Sequence, residues 1–276
     1  MSKEDENLSG ADLSGADLEN ANLSGARLQG RDLSGANLKG ANLKGANLKG
    51  ANLKGASLEN ASLENASLEN ADLRYANLSG ARLRGADLQG ADLENAYLRG
   101  ANLENANLRV ARLQGADLQG ANLSGANLED EDLQDANLED AYLSRASLQG
   151  SFLRGANLEG AYLSRANLIR ASLEGANLRG ANLRGAYLMG ANLRGAYLTS
   201  ANLEGAYLEN ANLRGAYLEN ASLMRADLRN ANITNGDLEN ADLERANLEG
   251  AIMPDGAHHP KNVESSFPAR PPAPMI

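Results

Sequence analysis

One residue in five is an apolar centre, and the spacing never slips. From Leu8 to Met253 a centre falls at every fifth position, fifty in all, and only Ile233 and Met253 replace Leu. Two residues before each centre stands Ala, except at Glu6, Arg31, Glu131, Ser151 and Gly236. The unit therefore reads small, polar, Leu, variable, variable. Residues 36–55 give its undiluted form, ANLKG four times over.

A period of five restricts the backbone severely. In an α-helix each successive Leu would advance by about 140° and scatter round the axis. In a straight strand successive Leu would point to opposite faces, because five is odd. The pattern needs a chain that turns once per unit. Ala and Leu, two apart in a short extended segment, then face the same axis, and the other three residues face outward. Gly or Asn usually sits two after Leu, where a turn with positive φ wants it. Tyr75, Val110 and Arg145 occupy the same place, which predicts more than one turn type.

Four units per coil fit better than three. The exceptions Arg31, Glu131 and Ser151 are separated by multiples of twenty. Tyr142 and Tyr162, Tyr187 and Tyr207, and Tyr197 and Tyr217 also pair at twenty. Residues 8–253 thus predict about 12 coils and a rod on the order of 60 Å long at the strand spacing of about 4.8 Å.

Such repeats of A(N/D)LxG resemble the pentapeptide-repeat family, especially its Leu-centred cyanobacterial form. The ending AIMPDG at 251–256 resembles the ends of cyanobacterial members. The resemblance implies an all-β fold, a right-handed four-sided parallel β-helix. Some members act as DNA mimics that inhibit a type II topoisomerase such as gyrase.

Composition narrows the function classes. With no Cys the chain has no disulfide, thiolate metal site or Cys nucleophile. The net charge of −10 resides in residues 1–250, which disfavours nucleic acid and anionic membrane as partners. The start, MSKEDENLSG, is polar and acidic rather than a basic segment before an apolar run, so no signal peptide is read and the expected location is cytoplasmic. Only two His are present, both in the tail; no catalytic constellation is formed, and no cofactor or metal is expected. The adjacent His258 and His259 lack fixed partners for a metal.

Three segments are expected: a charged cap at 1–7, the solenoid at 8–253, and a Pro-rich, disordered tail at 254–276 in which Pro254 stops strand pairing. The Lys of the ANLKG block should stack on carboxylates one coil later, Lys39 on Glu59, Lys44 on Glu64 and Lys49 on Glu69. Lys54 would meet Arg74, which would then meet Glu94. Candidate partner-binding residues lie where the repeat is disturbed. The run at 129–140 contributes Glu129, Asp130, Glu131, Asp132 and Asp135, with Phe152 one coil on. This run lacks the spacing and Gly of a calcium loop. Glu131 stands in an inward position, so either the coil bulges or the side chain turns out. Tyr187, Tyr197, Tyr207 and Tyr217 form two outward stacked pairs on opposite sides. The expected function is a non-catalytic scaffold, a monomer or end-to-end dimer, whose rigid acidic surface binds a protein. The alternative is a DNA-mimic inhibitor of gyrase.

Overall fold

The structure is a computed structural model that describes residues 12–260. Its chain forms the right-handed, four-sided parallel β-helix. Parallel bridges join each residue of the polar column to the one twenty later, in unbroken sequence from Asp17 and Asn37 to Asn232 and Ile252. Each coil therefore has twenty residues, and each unit forms one side.

Ala and Leu fill the interior. From Leu28 to Leu228 the Leu centres are at most 1% exposed, and the Ala beside them lie in the same continuous core. Burying each Leu is worth about 1.5–3 kcal/mol. Nearly every unit delivers one Leu and one Ala to the axis, so the core is uniform along the rod except where Glu131 and Ser151 take the place of Ala.

The unit also disposes of its backbone polar groups. Within the Ala36–Gly55 coil, the Asn37 N–H donates to Ala16 O of the coil before, and Leu38 N–H donates to Ser57 O of the coil after. The Gly40 N–H donates to Glu59 O, and Ala41 N–H closes the corner on Leu38 O. The fifth donor, Lys39 N–H, goes to the Asn37 side chain at 3.2 Å. This explains Asn and Asp before Leu: their carbonyl or carboxylate oxygen caps a corner N–H that has no other acceptor. Where Tyr, Phe or Arg replaces them, that cap is lost. Several columns also stack amide on amide. Asn177 donates to Asn157, Asn157 to Asn137 and Asn137 to Asp117, at 3.0, 3.2 and 3.1 Å.

One corner conformation serves throughout, contrary to the expectation of several. The residue two after Leu has positive φ whether it is Gly or not, including Tyr75 at 60°, Val110 at 59° and Arg145 at 61°. With the Leu C=O accepting from the Ala N–H three later, this is the type II turn. The ladder imposes it. Bonds from Tyr75 N–H to Glu94 O and from Arg145 N–H to Ser164 O hold these residues left-handed from the neighbouring coil. The intrinsic cost, about 1–2 kcal/mol for a non-Gly residue, is distributed over a rod that has many bonds to oppose it.

The parallel ladder ends at Ile252, as Pro254 predicts. The segment that follows does not begin disordered, however. Pro254 and Asp255 turn the chain, and Ile252 pairs antiparallel with His258. Met253 N–H donates to Ala257 O, and His259 N–H donates to Ala251 O. Pro removes only its own donor, so the strand could reverse and cover its own edge. The expected cap at 1–7 and the tail from 261 onward lie outside the described residues.

Candidate interaction surface

The four outward faces are named here by their polar columns. The first carries residues 17, 37, 57 and so on; the second 22, 42, 62; the third 27, 47, 67; the fourth 32, 52, 72. Variable pairs such as Lys39–Gly40 form the corners between them.

The aromatic columns fall where the spacing places them. On the third face Tyr187 and Tyr207 stack with ring centroids 5.1 Å apart. On the opposite first face Tyr197 and Tyr217 stack at 5.0 Å, and the Arg179 guanidinium lies 5.2 Å from the Tyr197 ring centre. Burial, followed by the nearby Tyr187 and Asp227, raises the Tyr207 phenol pKa. A third pair, Tyr142 and Tyr162, stacks on the second face at 4.8 Å and 5° between planes. The spacing of twenty marks it in the sequence, although it is absent from the candidates above.

The acidic run wraps one coil. Glu129 and Asp130 take one corner of the fourth face, Asp135 the next, and Asp132 lies between them. Phe152 stands directly over Asp132 in the column and is 55% exposed. These candidates therefore share one face, with Glu131 the exception. Its side chain neither turns out nor reaches a partner. It is 0% exposed, and neither carboxyl oxygen has a hydrogen bond.

Glu131 stacks in the column of Ala111 and Ser151, and Ser151 gives it nothing, donating its hydroxyl to Leu148 O at 2.7 Å. Around it the ladder opens. Val110 N–H to Glu129 O, Glu131 N–H to Leu128 O and Asp132 N–H to Ala111 O, each formed in the corresponding units of the flanking coils, are missing. Burial pushes the Glu131 carboxyl up to about 9, and Asp130 and Asp132 add to the rise. The N–H groups of Val110 and Ala111 face the carboxyl and oppose that rise, but neither reaches hydrogen-bonding geometry. Glu131 is thus a neutral acid at pH 7, which avoids the far larger cost of a buried charge.

The stacked charges are mostly as expected. Lys39, Lys44 and Lys49 reach Glu59, Glu64 and Glu69 at 3.5, 3.6 and 2.8 Å. Arg74 departs from expectation. It turns along its own coil to Asp72 at 2.6 Å and lies 3.7 Å from Asp92, rather than pairing with Glu94. Its guanidinium, hydrogen-bonded to the Asp72 carboxyl, holds that carboxyl below its ordinary range. The guanidinium donates two parallel N–H bonds to the two Asp72 carboxylate oxygens, the bidentate fit that favours this partner. Near the far end Glu219, Asp237 and Glu239 bring carboxylate oxygens within 4.8 Å of one another. Asp237, through hydrogen bonding and then its charge, raises the Glu219 carboxyl.

One feature escapes a reading centred on the acidic run. Residues 121–140 hold seven carboxylates and no base, whereas residues 141–200 hold seven Arg and only Glu159 and Glu174. The signal is plain in hindsight: AYLSR at 141–145 recurs at 161–165.

The repeat seen in the fold is matched by comparison with known families. The sequence profile of pentapeptide repeats matches in overlapping copies from residue 7 to residue 255. The chain is a pentapeptide-repeat protein. It is similar to HetL, a pentapeptide-repeat protein involved in heterocyst differentiation regulation in the cyanobacterium Nostoc sp. strain PCC 7120. That match has 37% identity over 84% of this chain and 92% of HetL, with a TM-score of 0.36. Rfr23, a pentapeptide-repeat protein of the cyanobacterium Cyanothece 51142, is 31% identical over 48% of this chain and 86% of its own, TM-score 0.19. A trypsin-treated variant of QnrB1, a plasmid-mediated fluoroquinolone resistance protein, shares the fold at TM-score 0.55. Its identity is 22% over 60% of this chain and 86% of QnrB1. A comparison with curated proteins finds no match. As a pentapeptide-repeat β-helix the chain is a scaffold, in a family that is generally non-catalytic.

Proposed function

We propose that this pentapeptide-repeat rod is a non-catalytic interaction scaffold that binds a protein partner through side-chain columns. The three stacked Tyr pairs support this reading most. They present aromatic surface on three faces, exposed at Tyr142, Tyr162, Tyr197 and Tyr217 and half-buried at Tyr187 and Tyr207, on a backbone whose corners beside them are fixed by hydrogen bonds. Rigid Tyr gives large contact area with little ordering cost, which is why it is enriched at interface hot spots. The test is affinity capture from a native lysate at low salt, with wild type beside a variant in which all six stacked Tyr are replaced by Asn. A partner retained by wild type and lost by the variant supports the reading. Capture of nothing, or equal capture by both, counts against it.

The acidic coil at 121–140 favours a second reading, the DNA mimic acting on gyrase. The Arg-rich stretch beside it weighs against that, since a surrogate for duplex DNA needs negative charge along its length. A DNA supercoiling assay without inhibition at micromolar protein removes this reading.

A further inference from the structure

On one edge of the rod, between the second and third faces, the corner residues run Glu104–Asn105, Ser124–Gly125, Ser144–Arg145 and Ser164–Arg165. They line a groove of about 600 Å3, large enough for part of a short peptide. We propose that this edge is a docking site for a short acidic segment of a partner protein, one that presents Asp or Glu side chains. The proposal rests on the scaffold reading above and names the partner's chemistry.

Four observations support it. First, AYLSR occurs twice one coil apart, so Tyr142 stacks on Tyr162, Ser144 on Ser164 and Arg145 on Arg165. Both Tyr are exposed, at 48% and 42%, and form an aromatic wall beside the groove. Second, among the described residues neither Arg145 nor Arg165 has a carboxylate within ion-pair distance, although charges above and below on this edge do. Arg84 pairs with Glu104 at 3.9 Å, and Glu204 takes both Arg184 at 3.5 Å and Arg225 at 3.8 Å.

Third, the fold has no need of Arg here. Both sit at the left-handed corner, with φ of 61° and 58°, where most other coils of this edge place Gly or Asn and only Arg225 and Arg245 repeat the Arg among the described residues. The Arg165 stem lies over Gly185 of the next coil. Fourth, the acidic coil at 121–140 carries carboxylates at three of its corners, and the remaining corner is Ser124–Gly125, at the foot of this groove.

The geometry suits carboxylates in particular. Two guanidiniums one coil apart can each take a carboxylate with two parallel N–H donors, and the Ser column supplies further hydroxyl donors. A long polyanion is disfavoured, because continuing along the edge it meets Glu104 on one side and Glu204 on the other. A few acidic side chains fit between those carboxylates, whereas nucleic acid does not.

The experiment uses the full chain and a fluorescein-labelled glutamate homopeptide read by fluorescence anisotropy at low ionic strength. A glutamine homopeptide and a single-stranded oligonucleotide are the comparison probes. The expected result is saturable binding of the glutamate peptide only. The double variant Arg145→Asn, Arg165→Asn should weaken it by about tenfold or more, and Arg170→Asn, at another corner, by less than about twofold. Asn is native to this corner elsewhere, so the variants should fold. Equal loss with Arg170→Asn, tighter binding of the oligonucleotide, or no saturable binding would each overturn the proposal. So would a wild-type dimer in sedimentation that the double variant abolishes, since the occupant would then be a second copy. If the peptide fails while the Tyr faces still capture a partner, the scaffold reading stands and only this site falls. The reverse outcome leaves the site standing and removes the Tyr surface.

Discussion

Residues 36–55 and residues 121–140 are two coils of one rod, built on the same Leu and the same corners. In the first, every backbone N–H has a partner and three of the four Lys, all but Lys54, find carboxylates one coil on. In the second, one inward Ala has become Glu131, and three ladder bonds around it are gone. Yet Leu128, Leu133 and Leu138 of that coil remain fully buried, and the bridges of Asp132 to Arg112 and Phe152 persist. A quasi-one-dimensional fold confines a fault to its nearest neighbours. The defect is absorbed because the carboxyl takes up a proton and the backbone opens by a few bonds. Val110, a β-branched residue held at φ 59° and itself missing its ladder bond, belongs to the same fault.

Four measurements bear on that contrast. The largest effect is expected from Leu138→Asp, which places a second acid in the already weakened coil without the room that Ala and Ser leave around Glu131. It should cost more than about 4 kcal/mol and abolish a cooperative urea transition; near wild-type melting would refute the inward Leu. Next comes a reciprocal pair in one column. Ala71→Glu, between Ala51 and Ala91, should destabilise by about 2–4 kcal/mol, and Glu131→Ala should stabilise by about 1–3 kcal/mol. Equal and small changes would mean that the defect is not caused by the carboxyl.

Third is the pH dependence. The folded Glu131 binds its proton up to about 9, against an ordinary value of 4.5. Within that window the folded state holds more protons than the unfolded state, so stability is greatest below the window and falls as pH rises through it. The limiting slope is about 1.4 kcal/mol per pH unit. Melting curves of wild type and Glu131→Ala should therefore diverge from about pH 5 to about pH 9, and parallel curves would sink the assignment. The smallest effect is Val110→Gly, which relieves the left-handed β-branched residue and should raise stability by about 1 kcal/mol. A loss of stability on thermal melting would show that Val110 contributes contacts that outweigh its strain.

The sequence made the period, the inward Ala and Leu, the coil of twenty and the stacked Lys–Glu pairs legible, because each depends only on spacing. What it concealed depends on the ladder. Nothing local tells Tyr75 and Arg145 to adopt positive φ; their bonds to the neighbouring coils do. The same holds for Glu131. An isolated reading of its charge asks for water, whereas the surrounding coils hold it inside and the proton resolves the conflict. The return of the chain after Pro254 was hidden because a proline says what it cannot donate, not where the next residues go. The Arg145–Arg165 edge was hidden by averaging, since a net charge of −10 masks a local excess of the other sign.

A single corner geometry also has a consequence for how such a chain can change in length. Inserting twenty residues lengthens the rod and returns every later side chain to its own face. Inserting five keeps the core pattern intact but rotates everything beyond by a quarter turn. One unit added after Gly150 would set Asn157 over Tyr142 and Gly160 over Arg145, moving Tyr162 and Arg165 to the next edge. Length and surface pattern are therefore indexed separately, the one by coils and the other by units. A gain or loss of one unit between two relatives would leave the fold untouched while dismantling any site that spans the join.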